Sequence, residues 1–203
     1  MTMTQDRPAD AAPGDSSAAR KAMIDSQLRT SGVNEPWLLA AMIALPREQY
    51  VPAAMRAAAY IDRAVPLSGG RFLAAPLVHG RMLSEAAPTL ADKALLITSG
   101  SGYLEALLRP LVGSLETIDA AEAGKPGSSG YTLILIDGAI EVLPPVLAAR
   151  LGEAGRLVCG LIKHGVTRLA AGRSVGGEVS LITLAEIGMP VLPEFAAPAR
   201  WSF

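Results

Sequence analysis

The sequence predicts an α/β domain: a mostly parallel sheet flanked by helices, with an antiparallel hairpin toward its C-terminal end. Three observations carry this reading. From about Leu77 onward, short apolar runs of strand length alternate with helical stretches. Half of the 203 residues are hydrophobic but only 4% are aromatic, so Ala, Leu, Val and Ile build the interior, as in a sheet covered by helices. The last third ends in two alternating segments with Gly172 and Gly176-Gly177 between them, the pattern of a hairpin.

The same numbers exclude several classes of function. Mean hydropathy is +0.33, yet no apolar run approaches the ~20 residues of a membrane span. With 18 basic and 19 acidic residues and a formal net charge of -1, there is no basic stripe to track nucleic-acid phosphates. The single cysteine, Cys159, lies in the apolar run Arg156 to Gly160, which rules out an intrachain disulfide framework or zinc cluster and reads as a buried strand residue. The start, Met-Thr-Met-Thr-Gln-Asp, lacks the basic and apolar regions of a signal peptide, so the expected location is cytoplasmic.

In chain order, residues 1–16 are rich in Ala, Pro, Gly, Asp and Ser without periodicity and are expected to be a disordered tail. Residues 17–203 are expected to form one domain, with residues 17–76 mainly helical and 77–203 carrying the sheet. A helix is predicted over 17–30 from the spacing of Met23, Ile24, Gln27 and Leu28, stopped by Gly32. A second begins at Asn34 as cap, with Glu35 and Pro36 in its first turn, carries Trp37, Leu38, Ala41, Met42 and Leu45 on one face, and ends before Pro46. A third covers 53–60, ahead of a loop at 65–70. Helices at 78–87, 103–111 and 143–151 then alternate with strands at 94–97, 115–118, 131–136 and 156–161, followed by the hairpin segments 166–170 and 179–187. There is no internal repeat.

In such sheets ligands bind where loops leave the carboxyl ends of the strands. The loop Thr98-Ser99-Gly100-Ser101-Gly102-Tyr103 sits at such a junction, its glycines permitting close backbone approach and its helix start offering free amides. Asp119, at the end of the next strand, has the chemistry to accept bonds from both hydroxyls of a ribose. A Gly-Ser-Gly turn also has a purely structural reading.

The flanking sequence is more specific. Met23 to Arg29, Val33, Leu39 to Met42 and Leu45-Pro46-Arg47-Glu48-Gln49-Tyr50-Val51-Pro52 resemble the N-terminal pattern of the protein-L-isoaspartate O-methyltransferases. Ala59 to Asp62 and Pro66-Leu67 continue it, Ser101-Gly102-Tyr103 is similar to the end of that family's cofactor motif, and Glu153 to Val158 is similar to a later strand. The resemblance covers about residues 20–165. It implies a class I methyltransferase, Rossmann-like sheet, S-adenosylmethionine as cofactor held at Ser99, Gly100, Ser101, Gly102, Tyr103 and Asp119, and isoaspartyl carboxylates of proteins or peptides as methyl acceptors.

Three departures stand against full activity. Where the family motif reads Glu-Ile-Gly, this chain has Leu96-Ile97-Thr98, without the carboxylate and with a β-branched residue in the turn. The family serine that helps hold the acceptor aligns with Ala74. Between Asp119 and Tyr131 lie only Ala120 to Gly130, too short for the helix, strand and helix the family places there. The sheet should therefore lack one edge strand with its helices, and the adenine pocket one wall. Asp137, after the strand at 131–136, is read either as a residue near the methyl-transfer site or as a turn aspartate at a strand end. His79 and His164 have no matching ligand set and read as solvated or locally bonded histidines rather than metal ligands. The resulting expectation is a family member whose carboxyl methylation is weak or lost. The competing reading is a non-catalytic pseudoenzyme that serves as a binding or partner module.

Overall fold

The computed structural model describes residues 16–198. The expected tail lies outside the described residues except for Ser16, which begins the first helix. The chain opens with α1 (Ser16–Met23), which widens into a π-helical turn over Ile24–Leu28 and tightens into a 3-10 turn over Arg29–Ser31. Hydroxyls of Ser26 and Thr30 reach back to the carbonyls of Ala22 and Ser26, the back-bonding that loosens helical winding. Gly32 ends the run at φ +85°, as its position predicts.

Helix α2 (Pro36–Ala44) starts at Pro36, but Glu35 rather than Asn34 occupies the cap position. The buried face of α2 is Leu38, Leu39 and Met42, while Trp37 stands half-exposed. A 3-10 segment, Arg47–Tyr50, follows, and a second, Ala53–Ala58, stands where the third helix is expected. A small hairpin, β1 (Val65–Pro66) and β2 (Phe72–Leu73), leads into α3 (Pro76–Ala86).

The main sheet follows: β3 (Lys93–Thr98), β4 (Ser114–Asp119), β5 (Tyr131–Ile140), β6 (Leu151–Lys163), β7 (Val166–Val175) and β8 (Glu178–Glu186). Its order is β4-β3-β5-β6-β7-β8, with the first four strands parallel and the last two antiparallel. Among the described residues nothing pairs outside β4, so this strand is the sheet edge, as the short link predicts.

Alternation along β3 and β5 explains their continuous apolarity. Leu96, Leu133 and Leu135 face the N-terminal helices, and Leu95, Ile97, Ile134 and Ile136 face the other side. The second face has thin cover. Ala120 and Ala123 of the link, Leu147 of the single-turn helix α5 (Pro145–Ala148), and Leu192 and Phe195 of the returning C-terminal segment lie against it. The helix predicted over 143–151 is therefore mostly absent. Leu151 already belongs to β6, paired with Tyr131.

Strands β6 and β7 are longer than predicted. Gly172 lies inside β7 instead of in a turn, paired with Leu181, and the position needs glycine because a Cβ there would stand 2.4 Å from the Ser180 carbonyl oxygen. The turn itself is Gly176-Gly177, at φ +61° and +83°, the paired positive values of a tight hairpin. Among the described residues no helix is long and apolar enough to cross a membrane.

Candidate functional site

The site forms at the carboxyl ends of β3, β4 and β5. After Thr98 the chain enters the glycine loop, where Gly100 and Gly102 adopt φ +90° and +75°, and α4 (Tyr103–Leu108) begins. Nothing lies within 4 Å of a Cβ built on Gly100, so the loop backbone is open to close approach. A cleft of about 290 Å³ lies over it, lined by Gln49, Tyr50, Pro52, Leu67, Ser68, Gly100 and Ser101. A larger apolar cleft of about 570 Å³ adjoins the start of α3, between Phe72, Ala75 and Val78 on one side and Ile187 to Val191 on the other.

The loop satisfies several of its own groups. The Gly100 amide donates to the Thr98 hydroxyl at 2.9 Å, and the Tyr103 amide donates to Ser101 Oγ at 3.3 Å. Of the residues the sequence assigns to the cofactor, Gly100, Ser101 and Gly102 line the open side. The Ser99 and Tyr103 side chains are buried beneath the loop. The Tyr103 ring packs edge-on against Tyr50 and lies under the Arg47 guanidinium, and burial pushes its hydroxyl up to about 12. Asp119 stands beside Thr98 in the sheet register. One of its oxygens accepts from the Ala121 amide at 2.9 Å and from Arg71 at 3.3 Å, and Arg71 also holds Glu194 at 2.6 Å. This arginine bridges from the end of β4 to the C-terminal segment.

Asp137 occupies a bulge. The β5–β6 register passes from Leu135 opposite Val158 to Ala139 opposite Gly160, leaving Ile136 to Gly138 to oppose Cys159. Beyond the bulge, where β3 has ended, the returning segment pairs with β5 in its place: Ala139 donates to Pro190 and accepts from Leu192. Gly138 allows this approach, since a Cβ there would meet Leu192 at 2.7 Å. The bulge turns the Asp137 carboxylate inward, where it is buried with both oxygens engaged. Oδ1 lies 3.0 Å from His79 Nε2, and Oδ2 accepts from the Ser99 hydroxyl at 2.7 Å.

Behind His79, at 3.2 Å from Nδ1, lies Arg47 Nη1. Arg47 is wholly buried. Its Nε donates to the Ala59 carbonyl at 2.7 Å and its Nη2 to the carbonyl of Ala74. Burial lowers Arg47 from its ordinary value, against Tyr103 and Asp137, which raise it. For Asp137 burial alone acts upward, but His79, Ser99 and Arg47 outweigh it and hold the carboxyl below the usual carboxylate range.

His79 is thus buried and not solvated, and its bonds run to side chains of two other elements, Arg47 and Asp137. His164 takes φ +53° in the turn that joins β6 to β7. The Ala74 side chain is a buried methyl at the end of the Phe72–Leu73 strand. Arg47 and His79 are the residues that sequence reasoning missed. The only signal for Arg47 was the Pro46-Arg47-Glu48 segment, where an arginine next to a proline is ordinarily a surface residue.

Comparison with known proteins adds three findings. A family model described as Protein-L-isoaspartate(D-aspartate) O-methyltransferase (PCMT) matches residues 18–123, ending inside the short link after β4. The chain is similar to the protein-L-isoaspartate O-methyltransferase of Koribacter versatilis, 33% identical over 165 residues that cover 68% of this chain and 74% of the relative. It is also 32% identical, with the same coverage, to that of Herpetosiphon aurantiacus. Among solved structures, a Plasmodium falciparum protein described as a beta-aspartate methyltransferase, in complex with S-adenosyl-L-homocysteine, superposes with a TM-score of 0.67. That match covers 86% of this chain and 98% of the other at 17% identity, a likeness of fold alone.

Proposed function

The chain belongs to the protein-L-isoaspartate(D-aspartate) O-methyltransferase family, and on that premise we propose that it binds S-adenosylmethionine weakly at the glycine loop, with carboxyl methylation residual or lost. The residues present fit the cofactor: the open backbone at Gly100 is a cradle that any Cβ would fill. Gly100, Ser101 and Gly102 would hold it from below, and Asp119 would face its ribose. When bound, S-adenosylmethionine supplies a methyl group on an electrophilic sulfonium.

One observation supports the weakness: several of the groups such a ligand would use are already bonded within the chain. Thr98 takes the Gly100 amide, Ser101 takes the Tyr103 amide, and Arg71 sits on Asp119. At those groups a ligand must displace internal bonds to make its own, and each exchange cancels most of its gain. The open edge at β4 adds no further wall to the cleft.

On the acceptor side, the residue aligned with the family serine is Ala74, whose side chain offers no donor and whose carbonyl is held by Arg47. Methyl transfer needs the acceptor oxygen in line with the donor, and a misplacement of about 1 Å costs on the order of 10²-fold. Losses on both reactants lower the same rate, one through the donor and one through the acceptor.

Calorimetry with S-adenosylmethionine, together with an assay using labelled cofactor and an isoaspartyl peptide, tests the reading. The expected result is measurable binding well above the micromolar range and little or no turnover. Low-micromolar affinity, or turnover comparable with an intact relative, would overturn it. No binding at millimolar cofactor would favour the non-catalytic partner module instead.

A further inference from the structure

The buried groups beneath the loop form a chain with a single sense. Arg47 carries only donors, so Nδ1 of His79 must accept. The ring proton then resides on Nε2, which donates to Asp137 Oδ1, while Ser99 donates to Oδ2. The alternative tautomer would set two N–H groups against each other at Arg47 and leave Asp137 facing a lone pair. Each link thus fixes the next, from the guanidinium through the imidazole and the carboxylate to the loop hydroxyl.

We infer that Arg47, His79, Asp137 and Ser99 act as a positioning relay that couples the acceptor-side backbone at Ala74 to the glycine loop, with Asp137 holding the loop through Ser99. The inference rests on the cofactor reading above. Its two ends support it. Arg47 grips the Ala74 carbonyl at one end, and Ser99 lies in the turn between β3 and Gly100 at the other. The four residues come from four separate elements: the 3-10 segment at Arg47–Tyr50, α3, the turn after β3, and the bulge of β5. Stability alone is a poor account of them, because a buried ion pair generally gives no more stability than apolar residues of the same volume. A bulge, a glycine without room for a Cβ and a fixed tautomer all serve to aim one carboxylate at one hydroxyl. Asp137 touches neither side of the open cleft, so it is a positioning residue and not a catalytic one.

Ser99 is the link to cut, because removing its hydroxyl leaves Arg47, His79 and Asp137 bonded to one another. The test measures the Kd of S-adenosylhomocysteine for the unaltered full chain, Ser99→Ala and Ser99→Thr, well below the unfolding midpoint of each. Ligand is taken to millimolar concentration, and the midpoints are recorded alongside. Nitrogen-15 NMR of the histidines reports whether His79 remains protonated at Nε2. The expected result is about a tenfold loss of affinity in Ser99→Ala, matching one hydrogen bond to a charged group. Ser99→Thr should restore it, and the His79 tautomer should be unchanged throughout. An affinity in Ser99→Ala equal to that of the unaltered chain would overturn the relay while leaving the cofactor reading in place, as would a His79 protonated at Nδ1. If the unaltered chain binds no ligand at millimolar concentration, the relay falls together with the cofactor reading.

Discussion

Replacing Arg47 with methionine should be among the most damaging single changes in this protein. The side chains are similar in length, so the volume is largely kept and the charge and donors are lost. Three sets of groups are then stranded: the carbonyls of Ala59 and Ala74, Nδ1 of His79, and the charge on Asp137. A buried acceptor left without a partner costs about 1–3 kcal/mol, and a buried charge left without its counterion costs about 3–5 kcal/mol. Against a typical total stability of about 5–15 kcal/mol, Arg47→Met should lose at least about 4 kcal/mol or fail to fold. Asp137 has a way to limit the loss by taking up a proton. The double variant Arg47→Met/Asp137→Asn should therefore be more stable than the sum of the two single changes predicts, with a coupling of about 1–3 kcal/mol. Urea denaturation of the unaltered chain, both single variants and the double variant measures this cycle. A single variant within about 1 kcal/mol of the unaltered chain, or a coupling of zero, would show that the guanidinium does not sustain the carboxylate.

Three further outcomes are expected. Asp92 is buried at the foot of the sheet, held bidentately by Arg156 at 2.7 and 2.9 Å and bonded by Thr89 and Thr132. Its burial acts upward but these partners hold its carboxyl far below the ordinary range. With the folded value depressed, its contribution is complete above the unfolded value of about 3.9 and is lost as pH falls below it. Asp92→Asn should thus destabilise by about 3 kcal/mol at pH 7 and progressively less in denaturation curves below pH ~4; an equal penalty at both ends would contradict the sign. Arg71→Gln takes the cation off Asp119 Oδ1, which keeps the Ala121 amide, and also releases Glu194; each exposed or partly exposed pair is worth at most about 1 kcal/mol. With the competing cation gone from that carboxylate, S-adenosylhomocysteine affinity should rise by a few-fold in calorimetry, whereas weaker binding would mean that Arg71 helps the ligand. Ala74→Ser should raise isoaspartyl-peptide methylation by no more than about fivefold, the worth of one neutral hydrogen bond; recovery to the level of an intact relative would refute the account of the donor side.

The parts of this molecule that were legible in the sequence are those set by neighbouring residues. The glycines of the Thr98–Tyr103 loop declare a positive-φ turn, and Gly100 and Gly102 have it. The span from Asp119 to Tyr131 fixes by its length alone that no strand intervenes, which makes β4 the edge. Boundaries were less legible. Leu143 to Leu151 has helical spacing, yet Leu151 is claimed by pairing with Tyr131, a contact that no local pattern encodes. The relay was invisible for the same reason. His79 and Asp137 are 58 positions apart, and a histidine on a helix face reads alike whether that face meets water or the underside of a loop. The bulge that aims Asp137 depends on Leu192 and Pro190, which return from beyond the hairpin.

The relay also limits the routes by which this sequence can drift. The family pattern that the chain resembles has an acid where Leu96 stands, on the strand face turned toward the same helices as His79. Here that position is apolar, and a buried carboxylate stands on the neighbouring strand, at 137. The arginine of the Pro46-Arg47-Glu48 segment has stayed, and a wholly buried guanidinium needs an anion within reach. An ancestor that lost the acid at 96 before gaining one at 137 would have carried an unpaired buried cation. The passable route gains the second carboxylate first, tolerates two for a time, and then releases the original. Surveyed relatives should accordingly show an acid at 96, at 137 or at both, and an arginine at 47 with apolar residues at both positions is the combination lineages should not retain.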